Sequence, residues 1–107
     1  MDTTAKDNEL VFEWDDSKDD LNRQKHGFSF DEAIAVFLDL FRIEYYDKKH
    51  STQVEDRYIT LGTIRNVVVL CVSYTDRNGH IRLISARKAT PKEEKMYYAC
   101  YKNAFKS

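Results

Sequence analysis

Four side chains in this sequence could bind a phosphate group and move a proton beside it. His26 carries an imidazole, which exchanges protons near neutral pH and can act as a base or as an acid. Arg57, Arg82 and Arg87 carry guanidinium groups, which stay charged and present a planar fork of N–H donors that fits phosphate oxygens. We take these four as the candidate catalytic residues.

Four further residues are candidates for contact with a substrate: Lys25, Glu55, Lys88 and Tyr97. Lys25 either binds phosphate or is a solvated surface lysine, and Glu55 either acts as a base or orients Arg57. Tyr97 is followed by Tyr98 in a helical pattern, so only one of the two can face the core and the other is free for an outside contact.

The candidate catalytic residues also have structural interpretations. His26 stands directly before Gly27, where a histidine can bond to the last carbonyls of a helix and complement its dipole. Each arginine can instead form a salt bridge to a carboxylate such as Glu55 or Glu32. Phe12 and Trp14 fit a core better than an exposed stacking surface.

Arg82 and Arg87 are five residues apart on one predicted strand, residues 80–88. Because side chains alternate between the two faces, an unbulged strand sends the two arginines to opposite faces. On this parity, Arg87 shares its face with Ile81, Leu83 and Ser85, whereas Arg82 shares its face with Ile84, Ala86 and Lys88. The two arginines therefore cannot both be assigned to one site from the sequence.

The spacing of metal-ligand residues predicts neither a metal site nor a cofactor. His26, His50 and His80 lie apart in the sequence, without cysteine or histidine neighbours at zinc-ligand intervals. The acidic residues do not have the spacing of a two-metal nuclease. Cys71 lies in an apolar run and Cys100 in a helical stretch, so we expect both to be buried free thiols.

The elements that must position these residues follow from hydrophobic periodicity. A strand at residues 10–14 leads into a short helix that ends at His26-Gly27, and a capping box at Ser29 opens a second, amphipathic helix that reaches Phe41. Further strands follow at residues 42–46, 57–61, 67–74 and 80–88, the last two joined by an Asn78-Gly79 hairpin. A last helix begins at Thr90-Pro91.

This order predicts an α+β fold, with an antiparallel sheet of about four to five strands packed with two N-terminal helices and one C-terminal helix. Residues 1–8 are polar and aperiodic, so we expect a loosely ordered tail, with a single domain at residues 9–107. The sequence has neither a signal segment nor an apolar run near 18 residues in length, so we expect a cytoplasmic protein without membrane contact.

The net charge of −1 averages two ends of opposite sign. Residues 1–20 carry eight acidic and two basic side chains, a net charge of −6, whereas residues 77–107 carry eight basic and two acidic ones, a net charge of +6. The basic end is compatible with a phosphate-binding surface, although solvated faces can produce the same asymmetry.

A series of short blocks in this chain resembles the BrnT-type toxins. The first half contributes Phe12-Glu13-Trp14-Asp15, Lys18, Asn22, Lys25-His26-Gly27, Phe30 and Glu32-Ala33. The second half contributes Glu55-x-Arg57 with Gly62, Val72-Ser73-Tyr74, Gly79, Arg82 and Ile84-Ser85-Ala86-Arg87-Lys88-Ala89. The resemblance covers residues 11–98 and departs from the family mainly in the first ten residues.

The resemblance implies a RelE-like fold and a ribonuclease toxin of a type II toxin-antitoxin system, whose cleavage of RNA inhibits translation and growth. It also implies a cognate BrnA-type antitoxin with a DNA-binding domain, a heterotetramer of the two proteins, and operator DNA bound through the antitoxin. Metal-independent cleavage needs a base for the 2′-hydroxyl proton, cations at the transition state and an acid for the leaving 5′-oxygen. The candidate residues above supply each type of group.

Two other classes of function compete with a metal-independent endoribonuclease. A non-catalytic protein-binding module would act only through its partner and would leave RNA intact. A direct DNA-binding regulator is disfavoured by a net charge near zero and by the absence of a recognisable helix-turn-helix pattern.

Overall fold

The computed structural model describes residues 1–104, which form a six-stranded sheet in the order β1-β2-β6-β5-β4-β3. The strands are β1 (Asp2–Asp7), β2 (Leu10–Asp15), β3 (Ile43–Tyr46), β4 (Arg57–Ile64), β5 (Val68–Arg77) and β6 (His80–Lys88). The helices are α1 (Asp16–His26), α2 (Phe30–Ala33), a 3-10 helix (Ile34–Leu38) and α3 (Pro91–Ala104). Residues 105–107 of the predicted domain lie outside the described part.

The predicted α+β class is confirmed, but the sheet is larger than predicted and is mixed. It has six strands instead of four or five, and β2 pairs with β6 in parallel, whereas the other neighbours are antiparallel. Residues 16–79 separate β2 from β6 along the chain. The direction of their pairing therefore cannot be read from any local pattern.

The sixth strand is β1, which occupies residues that the sequence predicts to be a loosely ordered tail. The backbone of Asp2–Asp7 pairs with β2 along its whole length. A tight turn joins the two strands, and in it Asn8 and Glu9 have φ values of 48° and 68°. The prediction is wrong because this edge strand is polar and has no alternation of apolar residues that would indicate a strand. It is a strand because its backbone pairs with that of β2.

The second predicted helix keeps its buried residues but not its helix type. The α-helix ends at Ala33 and the chain continues as the 3-10 helix, with Phe30, Ala33, Ile34 and Phe37 all buried. This segment crosses β4 at Gly62, where an added Cβ would lie only 2.8 Å from Val36 Cγ1. A glycine is therefore needed at this crossing.

The sheet has two differently covered faces. On one face, α2 and the 3-10 helix cover the main core, which includes Phe12, Trp14, Leu70, Val72 and Leu83. On the other, α3 packs on β4 and β5 and buries a smaller core of Leu61, Val69, Cys71, Ala89 and Tyr97. We call this second side the α3 face. Helix α3 leaves part of this face open.

A β-bulge in β6 corrects the predicted parity of the two arginines. Ser73 pairs with Ser85 and Tyr74 with Leu83, so Ile84 is an extra residue in β6. Arg82 pairs with Thr75 and Arg87 with Cys71, and these two partners are four residues apart on β5. Because residues four apart on a strand share a face, both arginines lie on the α3 face.

The two thiols differ from the prediction that both are buried. Cys71 is buried, and burial raises the pKa of its thiol to about 12, whereas Cys100 is exposed on α3. The sheet holds Cys71 under α3, whereas Cys100 lies in the part of α3 after Tyr97, residues 98–104, in which every residue is exposed. Residues 1–104 contain no helix with both the length and the apolar character needed to cross a membrane.

Candidate active site

The open part of the α3 face forms a cleft of about 270 Å³. Strands β4, β5 and β6 provide its floor with Arg57, Ser73, Ser85 and Arg87, and the loop after β3 provides Asp47 and His50. The sheet register explains why these residues meet, because Ser73 pairs with Ser85 at the bulge and all the strand residues of the cleft lie on the same face.

Arg57 enters the cleft from the start of β4 and is held at two points. Its Nε donates to Glu55 Oε1 at 2.7 Å, and its backbone N–H donates to Ser51 Oγ at 2.8 Å. The two terminal guanidinium nitrogens have no hydrogen-bond partner among residues 1–104. They are therefore available for an anion in the cleft.

Arg87 enters from the end of β6 and is held by helix α3. Its two terminal nitrogens donate to the two carboxylate oxygens of Glu93 at 2.7 and 3.1 Å. Glu93 also accepts the N–H of Thr90 at 2.8 Å, in a reciprocal capping box that begins α3. The hydrogen bonds from Arg87 lower the pKa of Glu93 to about 2, and they raise the pKa of Arg87. The guanidinium is thus charged and fixed in place.

His50 faces the two arginines from the loop after β3. Its Nδ1 lies 2.8 Å from Oδ2 of Asp47, whose side chain is almost fully buried. The same carboxylate accepts the backbone N–H of His50 through Oδ1 at 3.2 Å. The imidazole itself is 56% exposed.

A second groove of about 210 Å³ adjoins the cleft, and the two share Ile84 and Ser85 in their linings. Helix α1 lines this α1 groove with Lys18, Asn22, Lys25 and His26. Positive side chains thus continue from the cleft along α1. Among residues 1–104, no three His, Cys, Asp or Glu side chains are grouped so that they could hold a metal ion.

Comparison with known proteins identifies the family of this chain. Residues 14–93 match the family model described as the ribonuclease toxin BrnT of type II toxin-antitoxin systems. The chain belongs to the BrnT family. Membership of a type II toxin-antitoxin family implies an antitoxin partner.

A solved structure has the same fold. It is the 1.1 Å crystal structure of the Brucella abortus ribonuclease toxin BrnT, which is 24% identical in sequence and superposes with a TM-score of 0.59. The match covers 72% of this chain and 92% of that chain. The search of curated proteins found no match.

The BrnT fold brings together five of the eight residues that the sequence analysis selected. Arg57 and Arg87 line the cleft, and Lys25 and His26 line the adjoining α1 groove. Glu55 accepts a hydrogen bond from Nε of Arg57, a contact that favours the orienting role of the two considered for it.

The other three selected residues lie elsewhere. Arg82 donates to Glu13 Oε2 at 2.7 Å and to Asp2 Oδ2 at 3.0 Å, and these bonds tie β6 to β2 and β1. Lys88 pairs with Leu70, a residue of the main core, so its side chain leaves the sheet on the face opposite the cleft. Tyr97 is buried under α3 and donates to Asp39 Oδ2 at 2.5 Å.

Two of these corrections have a common physical cause, whereas that for Lys88 follows from strand pairing. Arg82 and Tyr97 have polar ends that find partners distant in sequence, and no local pattern shows those partners. Tyr98, the neighbour of Tyr97, is 39% exposed. Burial also raises the pKa of Tyr97 to about 12, with the hydrogen bond to Asp39 adding to the effect.

Sequence reasoning assigned no role to His50, Asp47 or Asn22. Asp47 precedes His50 by three positions, a spacing at which an aspartate can accept the N–H of a turn, and this was the available signal. Asn22 is buried and bonds to both the N–H and the C=O of Ala86. Its place within a BrnT-like block was the available sign of such a role.

Proposed function

We propose that this BrnT-family chain is a metal-independent endoribonuclease that cuts RNA at a phosphodiester held in the cleft. The observation that supports it most directly is the bulge at Ile84, which brings Arg87 to the α3 face beside Arg57. Two guanidinium groups on the floor of one cleft can bind the non-bridging oxygens of a single phosphate. Their fixed charges can also stabilise the negative charge that develops during the reaction.

The cleavage is a transfer of the phosphate within the RNA. The 2′-oxygen attacks phosphorus, the bond from phosphorus to the 5′-oxygen breaks, and the products are a 2′,3′-cyclic phosphate and a 5′-hydroxyl. His26 in the α1 groove is a proton carrier beside this site, and Lys25 contacts the phosphate of a flanking nucleotide. Glu55 and Glu93 hold the two arginines in the required orientation.

We infer the biological setting from membership of the family. RNA cleavage by the free toxin inhibits translation and growth in the cytoplasm, and a BrnA-type antitoxin neutralises it. That antitoxin carries a DNA-binding domain, forms a heterotetramer with the toxin and binds operator DNA. The match to a BrnT family model and the Brucella abortus ribonuclease toxin of the same fold support this proposal.

The decisive experiment is cleavage of purified RNA by the purified toxin in excess EDTA. We expect cleavage to persist, and Arg87→Ala to slow it on the order of 10²-fold because one fixed cation is lost. Arg23→Ala is the matched control, since Arg23 is an exposed arginine paired with Asp20 on α1. Intact RNA after incubation with folded, unaltered toxin would favour the protein-binding module instead.

A further inference from the structure

We propose that His50 is the general base that takes the proton from the 2′-hydroxyl, and that Asp47 is its positioning residue. This inference rests on the proposed RNA cleavage and assigns a step of it to residues that the sequence analysis did not select. The hydrogen bonds of the loop after β3 and the place of His50 in the cleft support it.

The Asp47 carboxylate determines which nitrogen of His50 can act. A carboxylate only accepts hydrogen bonds, so the 2.8 Å contact requires a proton on Nδ1 of the imidazole. In the neutral ring the lone pair is then on Nε2, the nitrogen that does not face Asp47. This is the tautomer that a base needs, and an aspartate beside a histidine stabilises the imidazolium that forms.

The pair is fixed to the same strand end as Arg57. The Asp47 backbone N–H donates to the carbonyl of Arg57 at 2.8 Å, and the Asp47 carbonyl accepts Ser51 Oγ at 2.7 Å. Ser51 Oγ in turn accepts the N–H of Arg57 at 2.8 Å. Any phosphate held by Arg57 therefore has a fixed relation to His50.

The exposure of His50 separates it from a structural histidine. Asp47 is 8% exposed at its side chain, whereas the imidazole of His50 is 56% exposed and lines the cleft. The charged groups that line the cleft with it are Arg57 and Arg87 on the strands and Asp47 on its own loop. A histidine kept only to satisfy Asp47 would not need to present its ring to the substrate side.

The step balances without any further reagent. Nε2 of His50 accepts the 2′-hydroxyl proton, the 2′-oxygen forms its bond to phosphorus, and the 5′-oxygen leaves with the electron pair of the broken bond. The 5′-oxygen takes a proton from His26, which lies across the shared Ile84 and Ser85, or from water. His26 has no carboxylate partner among residues 1–104, so it lacks the contact that prepares His50 as a base.

The test compares His50→Gln with His80→Gln in the full-length toxin. His80 is the matched control because it is also a surface histidine beside a carboxylate, with Nδ1 3.4 Å from Glu13 Oε1, but it lies outside the cleft. The substrate is an oligoribonucleotide that the unaltered toxin cuts in EDTA. Its non-cleavable version, with a 2′-deoxy sugar at the cut position, measures binding alone.

We expect His50→Gln to lower the single-turnover rate about 10²-fold or more, with binding of the 2′-deoxy oligonucleotide unchanged within about twofold. The rise of the rate with pH on its acidic side should disappear in this variant, because that limb reports the deprotonation of the base. Added imidazole should restore part of the activity of His50→Gly. Asp47→Asn should slow cleavage while His80→Gln leaves it unchanged.

The outcomes separate the two proposals. If the unaltered toxin cleaves RNA but His50→Gln keeps its rate and its pH profile, the general-base assignment is wrong and the ribonuclease proposal stands. If the unaltered toxin does not cleave RNA, both proposals fail. A loss of activity without imidazole rescue and with weakened binding would show that His50 acts structurally, which also overturns the inference.

Discussion

Arg87 is held in the cleft by Glu93, a carboxylate that belongs to helix α3. The two side chains form two parallel hydrogen bonds. Cys71 is buried beside this pair, and burial raises the pKa of its thiol, so the thiol stays protonated. An arginine held in this way loses little conformational freedom when it binds a phosphate. The same pair couples the start of α3 to the end of β6, so it also contributes to stability.

This coupling predicts a pH-dependent loss of stability in Glu93→Gln. The folded-state pKa of Glu93 is about 2, against an ordinary value of 4.5, so its contribution is present above pH 4.5 and is lost as the pH falls toward 2. At pH 7 we expect the variant to be less stable by about 1–2 kcal/mol, since Arg87 is partly exposed to solvent. Urea unfolding from pH 7 to pH 3 measures the difference, which should narrow as the pH falls.

Glu94→Gln is the control for this experiment, since its side chain has no hydrogen-bond or ion-pair partner among residues 1–104. It should leave the stability nearly unchanged at every pH. A stability difference for Glu93→Gln that stays constant between pH 7 and pH 3 would contradict the ionic role of the pair.

At the residue scale, the sequence predicts which chemical groups are present but not which of them meet. Arg57 and Arg87 could be selected because guanidinium groups suit phosphate wherever they occur. His50 could not be ranked above His26, since its value depends on Asp47 being buried and on the loop being fixed to Arg57. Those facts arise from tertiary hydrogen bonds.

At the scale of elements, β6 has a missing neighbour that α1 replaces. Strand β2 pairs with β6 only at Ile81 and Arg82. Farther along, the Asn22 side chain accepts the N–H of Ala86 at 3.0 Å and donates to its carbonyl at 2.8 Å, as a neighbouring strand would. It also donates to the carbonyl of Phe28 at 2.8 Å. Asn22 thereby fixes α1, and with it Lys25 and His26, beside the cleft.

Asn22→Ala should therefore destabilise the fold far more than a surface change on the same helix. It leaves the buried N–H and C=O of Ala86 without their partners, at a cost of about 1–3 kcal/mol for each unsatisfied group. Gln24→Ala, at an exposed position of α1, should change stability by less than about 0.5 kcal/mol. Equal urea midpoints for the two variants would show that the hydrogen bonds of Asn22 to Ala86 do not take the place of a neighbouring strand.

The elements could be predicted where their signal is local. Alternation marked β2 and β3, strand-prone residues marked β4 to β6, and the capping residues at Ser29 and Thr90 marked the start of two helices. The bulge at Ile84 could not be predicted, because it is defined only by the pairing of β6 with β5. That one extra residue decides whether Arg82 and Arg87 share a face.

At the scale of the whole molecule, the two faces of the sheet differ in role, since one packs the main core and the other carries the cleft. The main core lies between the sheet and the helices of residues 30–38, whereas the cleft lies on the other face, in a part that residues 91–104 of α3 do not line. The fold class could be predicted because the element order determines which layers can form. The number of strands could not, because β1 is polar and pairs only at the edge.

Strand β1 is therefore expected to support the fold without taking part in the cleft. It is at the sheet edge beside β2, whereas the floor of the cleft is formed by β4, β5 and β6. Removal of residues 2–7 should leave a folded protein with the same RNA cleavage rate. Its Tm should fall by about 4–8 °C for each kcal/mol of stability lost, because the backbone pairing with β2 and the packing of Ala5 are lost.

The contribution of the Asp2–Arg82 ion pair to this loss can be separated from that of the strand. Asp2→Asn weakens only that pair, in which Asp2 is exposed, so it should lower the Tm much less than the deletion does. Arg82 keeps its 2.7 Å bond to Glu13 in both proteins. Calorimetry measures the Tm of Asp2→Asn and of the deletion variant, and the cleavage assay in EDTA measures their RNA cleavage rates. Loss of cleavage in a deletion variant with native circular dichroism would mean that the functional surface extends to the β1 edge.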